Sequence, residues 1–195
     1  MSDTIVLASG NRGKLAELQH ALDPLNWVLK PQSAWQVPEA EETASTFVEN
    51  ALLKARNATV HTGLPAIADD SGLVVPALGG EPGIRSARFS GGDDSDNNAL
   101  LLERMASLSG EDRSAFFIAV VVLLRAPDDP TPLIAEGRWH GRIATQPCGD
   151  QGFGYDPLFI VDGDGRHAAE LSKDEKSAQS HRGLAIAALR AQLGA

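Results

Sequence analysis

Asp69 and Asp70 close the short apolar run 66–68, and the C-terminal end of a strand is where α/β sheets place their ligands. Two adjacent carboxylates there can hold a divalent cation and take a proton from water. Ser71 and Gly72 follow, and Asp-Ser-Gly is equally good turn chemistry, so this segment alone leaves both readings open. A second chemical segment lies near the N-terminus. Ser9, Gly10, Asn11, Arg12, Gly13 and Lys14 follow an apolar strand and run into a helix. A glycine-containing turn there aims backbone N–H groups and one lysine at a common point, which makes an anion cradle. Its spacing is not that of the common phosphate loop, which has a longer spacer between its glycines and a Ser or Thr after the lysine.

Other chemical groups are spread along the chain. Glu41 and Glu42 precede a helix, where the helix dipole favours carboxylates whatever their function. Lys54 follows Asn50 by one helical turn and shares its face. The loop Phe153, Gly154, Tyr155, Asp156 sets a glycine between two aromatics. That arrangement suits a platform for a base ring, and a loop folding its aromatics into the core fits equally well. Lys176, His181 and Arg182 cluster in the polar start of the last helix. On a continuous helix they point in different directions, at ~100° per residue, so convergence on one ligand requires a break within residues 177–180.

The elements that must position these groups follow from periodicity and punctuation. Strands are expected at residues 4–8, 27–29, 66–68, 73–78, 115–125 and 157–161, with 133–143 the antiparallel partner of 115–125. Helices are expected at 14–22, from 45 or 46 to 60, from 93–98 to 108, and from 172 to 193. Thr46 with Glu49, and Ser172 with Glu175, have capping-box spacing. Alternating strands and helices with one hairpin give an α/β fold with a mixed sheet. A chain of 195 residues suits a single domain over 1–195 with a substantial core.

A net charge of −9 argues against a protein that tracks a nucleic-acid polymer, although a few lysines and a metal ion can still hold one small anion. Cys148 is the only cysteine, so no intrachain disulfide can form. The apolar run 116–124 is too short to span a bilayer as a helix, and the N-terminus lacks the basic stretch of an export leader. A cytoplasmic location without membrane association is expected.

The order of the motifs is more specific than any one of them. Ser-Gly-Asn-Arg-Gly-Lys at 9–14 is followed by Glu-Glu-Thr at 41–43 and Thr-Phe-Val-Glu-Asn-Ala-Leu-Leu-Lys-Ala at 46–55. Ala-Asp-Asp-Ser-Gly-Leu at 68–73 and Leu-Gly-Gly-Glu-Pro-Gly-Ile-Arg-Ser-Ala-Arg at 78–88 come next. Phe-Gly-Tyr-Asp-Pro at 153–157 and Glu-Lys-Ser-Ala-Gln-Ser-His-Arg-Gly at 175–183 complete the series. Over residues 6–189 the chain closely resembles the non-standard purine nucleoside triphosphate pyrophosphatases, the ITP/XTP house-cleaning enzymes.

That resemblance implies an elongated α/β protein, two lobes with a central active-site cleft, and a homodimer. It implies Mg²⁺-dependent cleavage of ITP, dITP and XTP to the monophosphate and pyrophosphate. By motif, Ser9, Gly10, Asn11, Gly13 and Lys14 resemble the triphosphate-binding loop; Arg12 stands at a position the family varies. Asp70 corresponds to the catalytic base and metal neighbour, with Ser71 beside it on substrate. Glu42, or alternatively Glu41, resembles a second metal-side carboxylate, and Lys54 a phosphate contact. Phe153, Gly154, Tyr155, Asp156, Lys176, His181 and Arg182 resemble the nucleoside-binding set. A pyrophosphatase for modified pyrimidines, a phosphatase releasing orthophosphate stepwise, and a nucleotide sensor without turnover are the rival readings.

Overall fold

The computed structural model describes residues 4–9, 18–19, 22 and 27–194. Among them the strands are β1 (Thr4–Leu7), β2 (Val28–Pro31), β3 (Ala66–Val74), β4 (Ser114–Leu124), β5 (Leu133–Ile143) and β6 (Phe159–Val161). They form one six-stranded sheet in the order β2-β1-β3-β4-β5-β6. β1 runs parallel to β2, with Thr4 opposite Val28, and parallel to β3, with Val6 opposite Ala66. β6 lies antiparallel to β5, with Gly141 opposite Val161. The sheet is therefore mixed, as the alternation of elements predicts. The helices whose bounds fall among the described residues are α1 (Phe47–Thr62), α2 (Asp94–Arg104), α3 (Lys173–Gln179) and α4 (His181–Gln192). No described helix is long and apolar enough to cross a membrane.

The chain divides into two compact units. Unit 1 comprises Met1–Asp70, Ala119–Gly137 and Arg182–Ala195. Its core joins Ile5 and Leu7 of β1, Leu29, Ile67, Val121 and Leu123 with Ile186 and Leu189 of α4. Leu18 and Leu22 are helical and fully buried in the same core, in agreement with the 14–22 helix wherever that segment is described. α1 presents Ala51, Ala55 and Ala58, all fully buried, as a smooth face that lets the helix pack closely on β1.

Unit 2 comprises Ser71–Ile118 and Arg138–His181. Its core is built on Phe117, Trp139 and Phe159, with Phe117 and Phe159 ring centroids 4.7 Å apart. β5 alternates strictly between buried and exposed positions, as its sequence does. Gly141 is required there, because a Cβ at that position would lie 2.6 Å from the Phe159 ring and would collide with the β6 backbone. Arg113 holds the end of this unit together from inside. It donates to the carbonyl oxygens of Ile143 and Ala144 at 2.7 Å each, and of Met105 at 3.0 Å.

Several boundaries depart from the sequence reading. β3 does not stop at Ala68 but runs through residues 69–72 to Val74. Residues 76–78, expected as strand, form a 3-10 turn opened by Pro76. Between the expected elements, 3-10 segments form at Gln32–Trp35 and Gly83–Arg88. α2 ends at Arg104, four residues before the expected 108, and residues 156–158 form a 3-10 turn ahead of β6.

Candidate active site

Residues 69–72 are a strand interior rather than a turn, and the reason is charge pairing. Asp69 and Asp70 are 2% and 9% exposed. Each is matched by a cation, so the backbone carries both through the sheet without leaving a bare buried charge. Asp70 Oδ1 accepts from Lys54 Nζ at 3.0 Å, and Lys54 Nζ also donates to Glu42 Oε1 at 2.9 Å. Asp69 Oδ2 accepts from Nε and Nη2 of Arg182, both at 3.3 Å. Neighbouring strand residues thus hydrogen-bond to different cations, Asp70 to Lys54 and Asp69 to Arg182.

Local capping places Lys54. The Thr46 hydroxyl accepts the Glu49 backbone N–H at 3.3 Å, and the αL residue Gly63 closes α1 after Thr62. Asn50 Oδ1 accepts the Ala44 N–H at 3.1 Å, tying the segment that carries Glu42 onto the helix that carries Lys54. Lys54 is one turn on from Asn50, so its ammonium stands between Glu42 and Asp70. Ser9, Glu42, Lys54 and Asp69 line a cavity of about 130 Å³ together with Gln32 and Glu39. Gly10, Asn11, Arg12, Gly13 and Lys14, the remainder of the expected anion loop, lie outside the described residues.

The electrostatics of this cluster are asymmetric. Burial pushes the Asp70 carboxyl above its usual range; Lys54 pulls it down and Glu42 pushes it up, and the net is upward. Burial pulls the Lys54 ammonium down, but Asp70, Glu42 and Asp69 outweigh it and hold Lys54 above its ordinary value. Lys54 is therefore firmly cationic, while Asp70 is a carboxylate with raised proton affinity. Asp70 Oδ2 is buried and has no hydrogen-bond partner among the described residues.

Within unit 2, the aromatic loop divides between the two readings. Phe153 is 59% exposed, and Lys176 Nζ stands 4.9 Å from its ring centroid, so an open ring face is backed by a cation. Tyr155 instead joins the core, its hydroxyl donating to Ser86 O at 2.9 Å. Asp156 is buried, pairs with Lys176, and accepts the Phe153 N–H at 2.9 Å. Gly154 is held by Asp94 Oδ2, which accepts its N–H at 2.7 Å, and by Asn98, which donates to its carbonyl at 2.8 Å. Ser71 continues β3 directly after Asp70.

The helix break required by Lys176, His181 and Arg182 is present. α3 ends at Gln179, Ser180 follows with an extended ψ of 159°, and α4 begins at His181. His181 stacks on Phe117 with centroids 4.9 Å apart and rings 14° from parallel. His181 and Arg182 are both buried, not solvent-facing. The partnership of Asp69 with Arg182 and the roles of Asp94 and Asn98 are absent from the sequence reading. A signal for Arg182 exists, since it shares a helical face with Ile186 and Leu189, both buried. Asp94 and Asn98 have none, because their contacts with Gly154 lie 56 or more residues away in sequence.

Comparison with known proteins adds an independent line. The sequence profile of the Ham1 family matches residues 5–192. The dITP/XTP pyrophosphatase of Idiomarina loihiensis is 52% identical, with 98% of each chain covered. That of Aromatoleum aromaticum is 55% identical over 99% of this chain and 98% of its own. Among solved structures, a HAM1 protein from Coxiella burnetii superposes with a TM-score of 0.94 at 48% identity, covering 98% of each chain.

Proposed function

The chain belongs to the Ham1 family, and on that premise we propose that it hydrolyses non-standard purine nucleoside triphosphates (ITP, dITP and XTP) to the monophosphate and pyrophosphate, cleansing the nucleotide pool. The observation that carries this reading to chemistry is the ion-paired trio of buried Asp70 with half-buried Glu42 and Lys54. A cation fixed between two carboxylates is an unusual expense for a fold, and it serves a substrate whose own charge is strongly negative.

Asp70 is assigned as the general base. Its raised proton affinity brings it nearer the range in which a carboxylate takes a proton from water efficiently. Water oxygen bonds to the α-phosphorus, the α–β bridging bond breaks, the proton passes to Asp70, and pyrophosphate leaves with the bond's electron pair. Lys54, Ser9 and the residues 10–14 hold the triphosphate in line, with Ser71 beside the base. Glu42 and Asp70 fit an Mg²⁺ ion: both are oxygen donors, and Asp70 Oδ2 is buried without a partner. Such an ion would supply charge neutralisation to the bound triphosphate.

Phe153 offers a stacking face for the purine, and Lys176 with Asp156 orders the loop behind it. His181 and Arg182 complete nucleoside recognition. Arg182 has donors only, so at a purine edge it would match a 6-oxygen and mismatch the amino group of ATP, and Asp69, which accepts from its Nε and Nη2, fixes its orientation. A homodimer in the cytoplasm belongs to the same reading.

The test is a substrate panel of ITP, dITP, XTP, GTP and ATP with Mg²⁺, with products separated by ion exchange. Monophosphate and pyrophosphate from the first three are expected, with ¹⁸O from labelled water in the monophosphate and no turnover in EDTA. Orthophosphate as first product, label confined to pyrophosphate, or activity in EDTA overturns the mechanism.

A further inference from the structure

Apart from the candidate active site, one cluster among the described residues combines a thiol, an imidazole and a carboxylate. Cys148, His167 and Glu170 each place a donor atom within 4.8 Å of the other two. Tetrahedral zinc bond lengths imply donor separations of ~3.3–3.6 Å, so small side-chain movements close the set around one ion.

A second observation concerns the tautomer. His167 Nδ1 lies 2.6 Å from the Pro157 carbonyl oxygen. A carbonyl only accepts, so Nδ1 carries the proton and Nε2 keeps the lone pair. Ligating histidines use this outer hydrogen bond to fix ring orientation. The other two groups are anchored at the same place: Cys148 N–H donates to Pro157 O at 2.9 Å, and Glu170 Oε2 accepts the His167 N–H at 2.7 Å. Cys148 and Glu170 are exposed and His167 is half-buried, so an ion reaches the cluster from solvent.

We propose that Cys148, His167 and Glu170 form a surface binding site for a borderline-soft divalent cation, best matched by Zn²⁺, with a fourth position left to water. The sulfur excludes Mg²⁺, which demands oxygen ligands in near-octahedral geometry. On binding, the Cys148 S–H bond breaks, the metal–sulfur bond forms, and one proton passes to solvent. The ion would join Cys148 to the 167–170 segment and brace the 148–157 loop that carries Phe153 and Asp156. Any effect of that bracing on nucleotide binding rests on the proposed function; metal binding itself does not.

The experiment titrates metal-free protein with Zn²⁺ and, as a spectroscopic probe, Co²⁺, with excess Mg²⁺ present to occupy the carboxylates of Glu42 and Asp70. One Zn²⁺ per chain, one proton released, and a thiolate-to-cobalt charge-transfer band are expected; Cys148 is the only cysteine, so that band has a single source. Cys148→Ser should abolish the band and weaken Zn²⁺ by ~100-fold or more, and His167→Gln should weaken it comparably, with far-ultraviolet circular dichroism unchanged. Absence of the band, or equal Zn²⁺ affinity in Cys148→Ser and the parent protein, overturns the proposal whether or not the protein hydrolyses nucleotides.

Discussion

Replacing Lys54 by methionine keeps most of the side chain's bulk and removes its charge from between Glu42 and Asp70. The two ion pairs it breaks are 2.9 and 3.0 Å long, and the Lys54, Asp70 and Glu42 side chains are 14%, 12% and 28% exposed. At an effective dielectric constant of ~20, each pair is worth ~5–6 kcal/mol before the cost of removing the charges from water. Net values are much smaller: removing one partner of a buried pair costs about 3–5 kcal/mol, and the partial exposure here places Lys54→Met near ~3 kcal/mol. The pH dependence has a definite sign. Burial and Glu42 already raise Asp70, and Lys54 is the main force pulling it back. Without Lys54 the folded state binds more protons than the unfolded chain across the acid range. Its stability therefore falls as pH rises through that window, and the full deficit is present above it. Urea denaturation of both proteins at about pH 8 and about pH 5 should show a large gap at the higher pH and a smaller one at the lower, with unchanged m. A deficit below ~1 kcal/mol that does not vary with pH would describe a solvated surface pair, and the account of this cluster would be wrong.

Asp70→Asn should lower kcat by ~10²–10⁴ while leaving the protein folded. Retention of near-normal kcat would remove Asp70 from the role of base. Gly152 has φ +81°, and a Cβ there would collide with the Asp156 carboxylate and lie 3.0 Å from Lys176 Nζ. Gly152→Ala should therefore raise KM for ITP with little change in kcat; steady-state kinetics with an unaltered KM would remove the Asp156–Lys176 pair from substrate binding. Arg182→Lys keeps a charge opposite Asp69 but loses the planar fork, so the ITP-to-ATP ratio of kcat/KM should compress by ~10-fold or more. An unchanged ratio would show that Arg182 is not the reader of the 6-oxygen.

Elements with a local cause were legible in the sequence. β5 occupies residues 133–143 as its alternation predicts, and Thr46 and Ser172 cap α1 and α3 as their spacing to Glu49 and Glu175 predicts. The chemical motifs were legible as types, but their geometry was not. A lysine on an amphipathic helix is ordinarily solvated; Lys54 is not, because its partners come from 12 residues upstream and 16 downstream. Residues 69–72 have turn composition yet form a strand, because Lys54 and Arg182 supply the compensating charge. The polar start of the last helix conceals a buried histidine and arginine for the same reason: local sequence reports polarity, whereas distant partners decide burial.

The Asp69–Arg182 pair also bears on how the chain matures. Its two halves are separated by 113 residues, and at ~5–20 residues per second a ribosome needs about 6–23 s to make that stretch. Throughout that interval the nascent strand β3 holds a carboxylate whose arginine partner does not yet exist. Burying it early would forgo the two hydrogen bonds and the charge that Arg182 supplies, so the centre of unit 1 closes late. A truncated product ending before α4 inherits the same defect permanently, which makes unfinished chains open to proteolysis and distinguishes them from completed ones.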